Sequence, residues 1–266
     1  MKIGIYQCAA GGFAPNKRIA DLEKAVEGQE VDLIVCPELF LTGYNVGSDL
    51  LMLAEPITGP KNAKMSALAR ATETAFVYGF VESDKGSVYN SVACVNAQGK
   101  IVSKHRKLML PPGFERDYFK AGKELTTFEL DGVKIGLLIC YDLEFPEAAR
   151  ATVKAGADVL IVATALGAAW PVVAEKMVPT RAFENGVWVV YANHAGKEGD
   201  VAYLGRSCIV DPNGQDVARA GDGAEIISAE LNLSKVTAAQ EKLPYGADAK
   251  ILSETLTTAS TQGGRF

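Results

Sequence analysis

Histidine is scarce in this sequence. Only His105 and His194 occur in 266 residues, so a His-rich metal centre cannot be assembled. The cysteines (Cys8, Cys36, Cys94, Cys140 and Cys208) are odd in number and scattered, with no CxxC pair and no tight Cys/His spacing. That argues against a disulfide framework and a structural zinc site, and points to a reducing, cytoplasmic compartment. Positive charge is short as well. The 27 Lys and Arg stand against 32 Asp and Glu, a net charge of −5, which leaves no overall field to hold a nucleic acid or an anionic membrane. The longest uncharged run, Val159 to Ala174, is shorter than a membrane span and contains Gly167 and Pro171. The apolar start Lys2 to Cys8 is interrupted by Gln7 and reads as a strand rather than a signal peptide.

What is present is a globular composition, 48% hydrophobic and 22% charged, in a chain long enough for one large domain or two ordinary ones. A weak internal repeat decides between these. KIGIYQC at Lys2 to Cys8 matches KIGLLIC at Lys134 to Cys140, and VDLIVCPE at Val31 to Glu38 matches ADVLIVAT at Ala157 to Thr164. All four read as buried strands. Between them, Asn16 to Glu27 and Pro146 to Lys154 carry apolar residues at helical spacing. Each half continues with a second helical stretch (Pro60 to Thr74; Val172 to Glu184), a further strand (Phe76 to Val81; Val187 to Asn193) and a hairpin. The hairpin turns are Asn96-Ala97-Gln98-Gly99 and Asp211-Pro212-Asn213-Gly214. A β-α-β-α-β-β unit covers one face of its sheet with helices, so the other face needs a partner. The expected fold is an α/β four-layer α-β-β-α sandwich of two pseudo-symmetric halves over residues 1–244. Residues 245–266, poor in large apolar side chains, are expected to form a C-terminal tail, an arm for a partner or a mobile end.

Three positions at strand ends carry reactive side chains. Cys140 closes the run IGLLIC just before a helical stretch, where a helix N-terminus would favour a thiolate. A lone Cys is more commonly a small buried hydrophobe, and the other four, within strand-like runs, read that way. Glu38 ends VDLIVCPE. A carboxylate leaving so apolar a strand would be desolvated and raised toward a general base, while the local sequence fits an exposed loop Glu equally well. Lys107 lies in Lys104-His105-Arg106-Lys107, which taken alone reads as a solvated basic edge. His194 follows a strand and could serve Cys140 as a base, so a Cys-His dyad is the rival arrangement.

CPELFLTGY around Glu38, HRKLMLPPGFERDYFKAG around Lys107 and GLLICYDLEFPEAAR around Cys140 together resemble the three signature segments of the nitrilase superfamily, the carbon-nitrogen hydrolases. RAFENGVWVVYANHAG at Arg181 to Gly196, Gly205-Arg206-Ser207 and Asp211-Pro212-Asn213-Gly214 are similar to that family's later motifs, so the resemblance runs from Lys2 to about Leu233. It implies the same four-layer sandwich. It also implies Cys140 as nucleophile, Glu38 as general base, Lys107 as the cation at the oxyanion and Glu115 as a second glutamate orienting Lys107 or the substrate amine. Neither metal nor cofactor is needed. Cys140-Tyr141-Asp142 is similar to the amidase and carbamoylase branches, where true nitrilases tend to have Cys-Trp-Glu.

The resulting expectation is an amidase cleaving a small aliphatic or small-ring carboxamide through a cysteine acyl-enzyme. N-carbamoyl amide hydrolase and ω-amidase are the alternatives, nitrilase a lesser one. The presence of Glu38, Lys107 and Cys140 together argues against a purely non-enzymatic interaction module. Glu144, where ω-amidase-like members often have Arg, puts an anionic substrate in doubt. Tyr44, Tyr141 and Trp170 are the expected substrate-binding residues, with Phe145, Pro171 and the small residues Ala165 to Ala169 near them. Of these, Phe145 reads rather as core packing. The resemblance further implies a homo-oligomer, with a dimer favoured.

Overall fold

The computed structural model describes residues 1–11 and 14–262, and of 257–262 the backbone alone. The first half runs β1 (Lys2–Gln7), α1 (Pro15–Val26), β2 (Leu33–Val35), a short α2 (Asp49–Met52), α3 (Pro60–Thr72), β3 (Ala75–Asp84), β4 (Ser87–Val95) and β5 (Ile101–Arg106). A one-turn α4 (Phe114–Tyr118) leads into the second half. There follow β6 (Thr126–Leu130), β7 (Val133–Ile139), a 3₁₀ turn (Cys140–Glu144), α5 (Pro146–Lys154), β8 (Val159–Ala163), a π turn (Val173–Met177), α6 (Val178–Asn185) and β9 (Trp188–Ala192). A two-stranded ribbon, β10 (Lys197–Glu198) and β11 (Val201–Ala202), precedes β12 (Cys208–Val210), β13 (Asp216–Arg219), β14 (Glu225–Glu230), α7 (Ser234–Lys242) and α8 (Tyr245–Gln262).

Two six-stranded sheets result, ordered β14-β1-β2-β3-β4-β5 and β13-β12-β9-β8-β7-β6. The central three strands of each are parallel, joined by helices; the outer ones are antiparallel. Pro15, Pro60 and Pro146 start their helices at a position where no N–H is missed. Gly186, at φ 60°, ends α6 in the left-handed conformation that glycine adopts most easily.

The repeat extends further than the sequence alone indicates. β6 lies antiparallel beside β7 as β14 lies beside β1, so each sheet gains a sixth strand, and for the first sheet it comes from the far end of the chain. Both hairpins also shift register just before their turns, between Cys94 and Val95 and between Ile209 and Val210. The second helical stretch of the second half carries a π segment at Val173–Met177 that runs directly into α6.

Alternation along the strands builds the layers. Ile3, Ile5, Leu33, Val35 and Val77 join Ile135, Leu137, Ile161 and Val190 in one buried cluster. On the opposite face of the first sheet, Ile34, Phe76, Tyr78 and Phe80 pack under Ile19, Leu22, Met65 and Leu68 of α1 and α3. The tail forms α8, with Ile251, Leu252 and Leu256 exposed at 64%, 57% and 60%; its last four residues, 263–266, lie outside the described residues. No helix among the described residues is long and apolar enough to cross a membrane.

Candidate active site

The carboxyl ends of the parallel strands of both sheets meet at one place, where α/β folds collect functional groups. Ala9 bridges Ala195, Ala10 N donates to Ala195 O at 2.7 Å, and Glu38 N donates to Thr164 O at 3.3 Å.

Glu38 leaves β2 through Pro37 and is followed by Leu39 at φ 49°, a left-handed residue that is not glycine. Gly79 on β3 makes this path possible. A side chain there would meet Glu38 C and Pro37 O at 2.8 Å and Leu39 N closer still. The Glu38 side chain is fully buried, which rules out the exposed-loop reading. Burial is the main cause that raises its carboxyl to about 7; Lys107 acts against this and Glu115 reinforces it. One carboxylate oxygen, Oε1, accepts from Lys107 Nζ and Asn90 Nδ2, both at 2.7 Å, whereas Oε2 is buried with no hydrogen-bond partner among the described residues.

Lys107 is no part of a solvated edge. It and His105 are each 1% exposed. Lys107 N donates to Asn90 O at 2.9 Å and its carbonyl accepts from Gly122 N at 2.7 Å. The partly exposed Lys104 and Arg106 instead pair with buried Glu82. The Lys107 ammonium contacts Glu115 Oε1 at 2.6 Å as well as Glu38. Burial alone would lower its pKa, but the negative groups around it, Glu38 first, more than compensate and hold it as a firm cation. Glu115, in the first turn of α4, also accepts from Tyr44 OH at 2.5 Å and Asn90 Nδ2 at 3.3 Å.

Cys140 follows β7 at φ 45° and opens a five-residue 3₁₀ turn that leads into the expected helix α5 at Pro146. Its thiol is not eased toward the thiolate. Burial, and then the Glu38 charge, push it well above the usual range, with Lys107 and Thr164 pulling the other way. Asp142, two residues on, fixes this elbow. Its Oδ1 accepts from Leu108 N at 3.0 Å and Met109 N at 2.8 Å, and its Oδ2 from Ile139 N at 3.0 Å and His105 Nε2 at 3.3 Å. The Lys107 loop and the Cys140 turn therefore share one anchor. Arg181 holds the turn from α6, through Leu143 O at 2.9 Å and Glu144 O at 2.8 Å.

His194 does not join Cys140. Its Nε2 meets Glu38 O at 2.8 Å and its Nδ1 meets Cys8 Sγ at 3.4 Å. A carbonyl can only accept, so Nε2 carries the proton and Nδ1 accepts from the thiol. Burial, then Arg18, keep this ring neutral and lower its pKa to about 4. The Cys-His arrangement is thereby replaced by a histidine that steadies the backbone of Glu38. Cys8, Cys36, Cys94 and Cys208 are all buried.

A cavity of about 440 Å³ opens onto Cys140, lined in part by Tyr44, Tyr141, Trp170, Ala165, Leu166 and Gly167. Trp170 is 63% exposed at its edge. Phe145 instead packs edge-on against Tyr141, with ring centroids 4.9 Å apart, and neither it nor Pro171 lines the cavity. Pro111, Pro112, Glu144 and Val173 complete the wall. The Tyr44 loop is held by buried Glu198, whose Oε2 accepts from Tyr44 N at 2.9 Å, Asn45 N at 2.7 Å and Tyr203 OH at 3.0 Å. Asn90, Asp142 and Glu198 were missed as contributors to the site. Asp142 had a signal in its place beside Cys140, whereas Glu198 had none. Among the described residues no group of three or more His, Cys, Asp and Glu is placed to hold a metal ion.

The carbon-nitrogen hydrolase family model matches residues 2–241. The chain belongs to the carbon-nitrogen hydrolases. A hydrolase encoded in the pqqF 5' region of Pseudomonas protegens is 40% identical over 232 residues, covering 85% of this chain and 81% of its own. An (R)-stereoselective amidase of a Pseudomonas species is 35% identical across 100% of this chain and 97% of its own. A mutant amidase of Nesterenkonia sp. AN1, carrying acrylamide joined by Michael addition to its active-site cysteine, superposes with a TM-score of 0.82. It is 26% identical, covering 91% of this chain and 98% of that one. This carbon-nitrogen hydrolase is a cysteine-dependent amidase of the nitrilase superfamily.

Proposed function

We propose that this amidase hydrolyses small aliphatic or small-ring carboxamides to acid and ammonia, with Cys140 as nucleophile, Glu38 as proton carrier, Lys107 at the oxyanion and Glu115 fixing Lys107. The observation that carries the reading is the buried Glu38–Lys107–Glu115 chain, with contacts of 2.7 and 2.6 Å, beside a Cys140 that opens onto a cavity of small-molecule size.

In this reading the Cys140 sulfur attacks the amide carbon while its proton passes to Glu38. A group raised to about 7 both accepts and returns a proton near neutrality. The oxyanion is held by the Lys107 ammonium and the backbone N–H of Tyr141. Collapse breaks the C–N bond, and Glu38 protonates the departing ammonia. Water then gives its proton to Glu38, attacks the thioester and releases the acid, and the proton returns to Cys140. Burial and the Glu38 charge raise the Cys140 thiol, so its attack is coupled to proton transfer to Glu38. Tyr44, Tyr141 and Trp170 supply the walls around the acyl chain. Assembly with a second copy through the exposed apolar residues of α8 belongs to the same proposal.

Wild-type protein is expected to release ammonia from propionamide and butyramide and to be labelled once, on Cys140, by acrylamide. Cys140→Ala is expected to melt as the wild type does, with no turnover. Turnover by that variant, or ammonia release from nitriles alone, overturns the proposal.

A further inference from the structure

Glu144 stands apart from the other residues of the cavity. It is the single ionisable acid or base among the described lining residues apart from Cys140 and the two tyrosines. It is half-buried, and no hydrogen bond or ion pair reaches its carboxylate from the described residues. The nearby cations are engaged elsewhere. Lys107 is held by Glu38 and Glu115, while Arg181 spends its donors on Leu143 O, Glu144 O and the Glu184 carboxylate. Burial raises the Glu144 carboxyl above its ordinary value, with Lys107 and Arg181 acting against it. A partly desolvated carboxylate without a partner is unfavourable unless a ligand supplies the missing charge. The same cavity is lined by the aromatic rings of Tyr44, Tyr141 and Trp170, whose faces also attract cations.

We infer that Glu144 is a specificity-determining residue that selects amides bearing a protonated amine on the acyl chain, as in amino-acid amides. The inference rests on the amidase reading and narrows its substrate class. The substrate ammonium contacts the Glu144 carboxylate and the aromatic wall while its carboxamide faces Cys140. The same carboxylate repels an acyl chain that ends in an anion.

Three amides of similar length test this: β-alaninamide, whose ammonium replaces the terminal methyl of butyramide, butyramide itself, and succinamate. The wild type is expected to show kcat/KM in that order, with β-alaninamide ahead of butyramide by roughly tenfold or more, a difference expected mainly in KM. Glu144→Gln is expected to collapse the ratio of β-alaninamide to butyramide toward one and to narrow the gap to succinamate. Equal or better use of butyramide by the wild type overturns the inference and leaves the amidase reading standing, as does a ratio unchanged in a folded Glu144→Gln variant. Ammonia release from none of the three overturns the amidase reading itself. The wild-type ratio decides the matter even if the variant fails to fold.

Discussion

Glu38 and His194 touch through one hydrogen bond, yet burial moves their titrations in opposite directions. Glu38 rises from 4.5 to about 7, and His194 falls from 6.5 to about 4. Between roughly pH 4.5 and 6.5 the folded protein therefore keeps a proton on Glu38 that the unfolded chain has lost, so this residue makes stability fall as pH rises. In the same window the unfolded chain holds a proton on His194 that the folded ring lacks, so His194 makes stability rise with pH. The two slopes oppose each other and largely cancel. Removing either residue should expose the other. The stability of His194→Gln relative to wild type is expected to fall as pH increases from 4.5 to 6.5, and that of Glu38→Gln to rise, measured by urea midpoints at several pH values. Parallel curves for both variants would mean that neither group is shifted as described. The neutral histidine also bears on what could be read beforehand. A histidine after a strand is an obvious candidate base, and only the 2.8 Å contact with a main-chain carbonyl shows it serving the backbone instead.

At the scale of elements, the ends of β2 and β7 do most to shape the site. Leu39 and Cys140, one at each end, both take left-handed backbone conformations that cost a non-glycine residue about 1 kcal/mol or more. Gly79 on the neighbouring strand gives the first of these turns its room. Gly79→Ala is expected to displace Glu38 and lower kcat by roughly 100-fold, as misplacement of a reacting group commonly does. Overpacking should cost about 1–3 kcal/mol of stability, so thermal melts and rates on the same preparation separate the two effects. Much at this scale was legible. The hydrophobic runs located β1, β2, β7, β8 and β9, and Pro146 marked the first residue of α5. Lys107 shows why other features were not. A charged run looks solvated unless the buried carboxylates that neutralise it are known, and these come from Glu38 and Glu115, far apart in the chain. Glu198 carried no signal because its partners Tyr44 and Asn45 belong to the other half.

For the whole molecule, the repeated order of strands and helices gave the four layers but not the sixth strand of either sheet, since β6 and β14 lie outside the repeated unit. Pairing partners of outer strands depend on where the chain returns, which no local pattern encodes. β14 pairs with β1 along all six of its residues, from Lys2 with Glu230 to Gln7 with Glu225. A chain truncated after Ala220 is therefore expected to be insoluble, because it leaves β1 as an open edge. Truncation after Leu243 removes only α8 and is expected to keep a cooperative melt within a few degrees of the full chain. If α8 joins two copies, the same truncation lowers the molecular mass measured in solution by light scattering; an unchanged mass excludes α8 as the contact.

The closing of the first sheet by β14 also sets a timetable for synthesis. The ribosome makes β1 through β5 long before it reaches Glu225, so the nascent first half must wait with one side of β1 unpaired while more than a hundred further residues are added. The two halves share one buried cluster as well. For this protein, folding during translation can prepare the parts, but protection of the N-terminal strand against protease begins only once the last strand has left the exit tunnel.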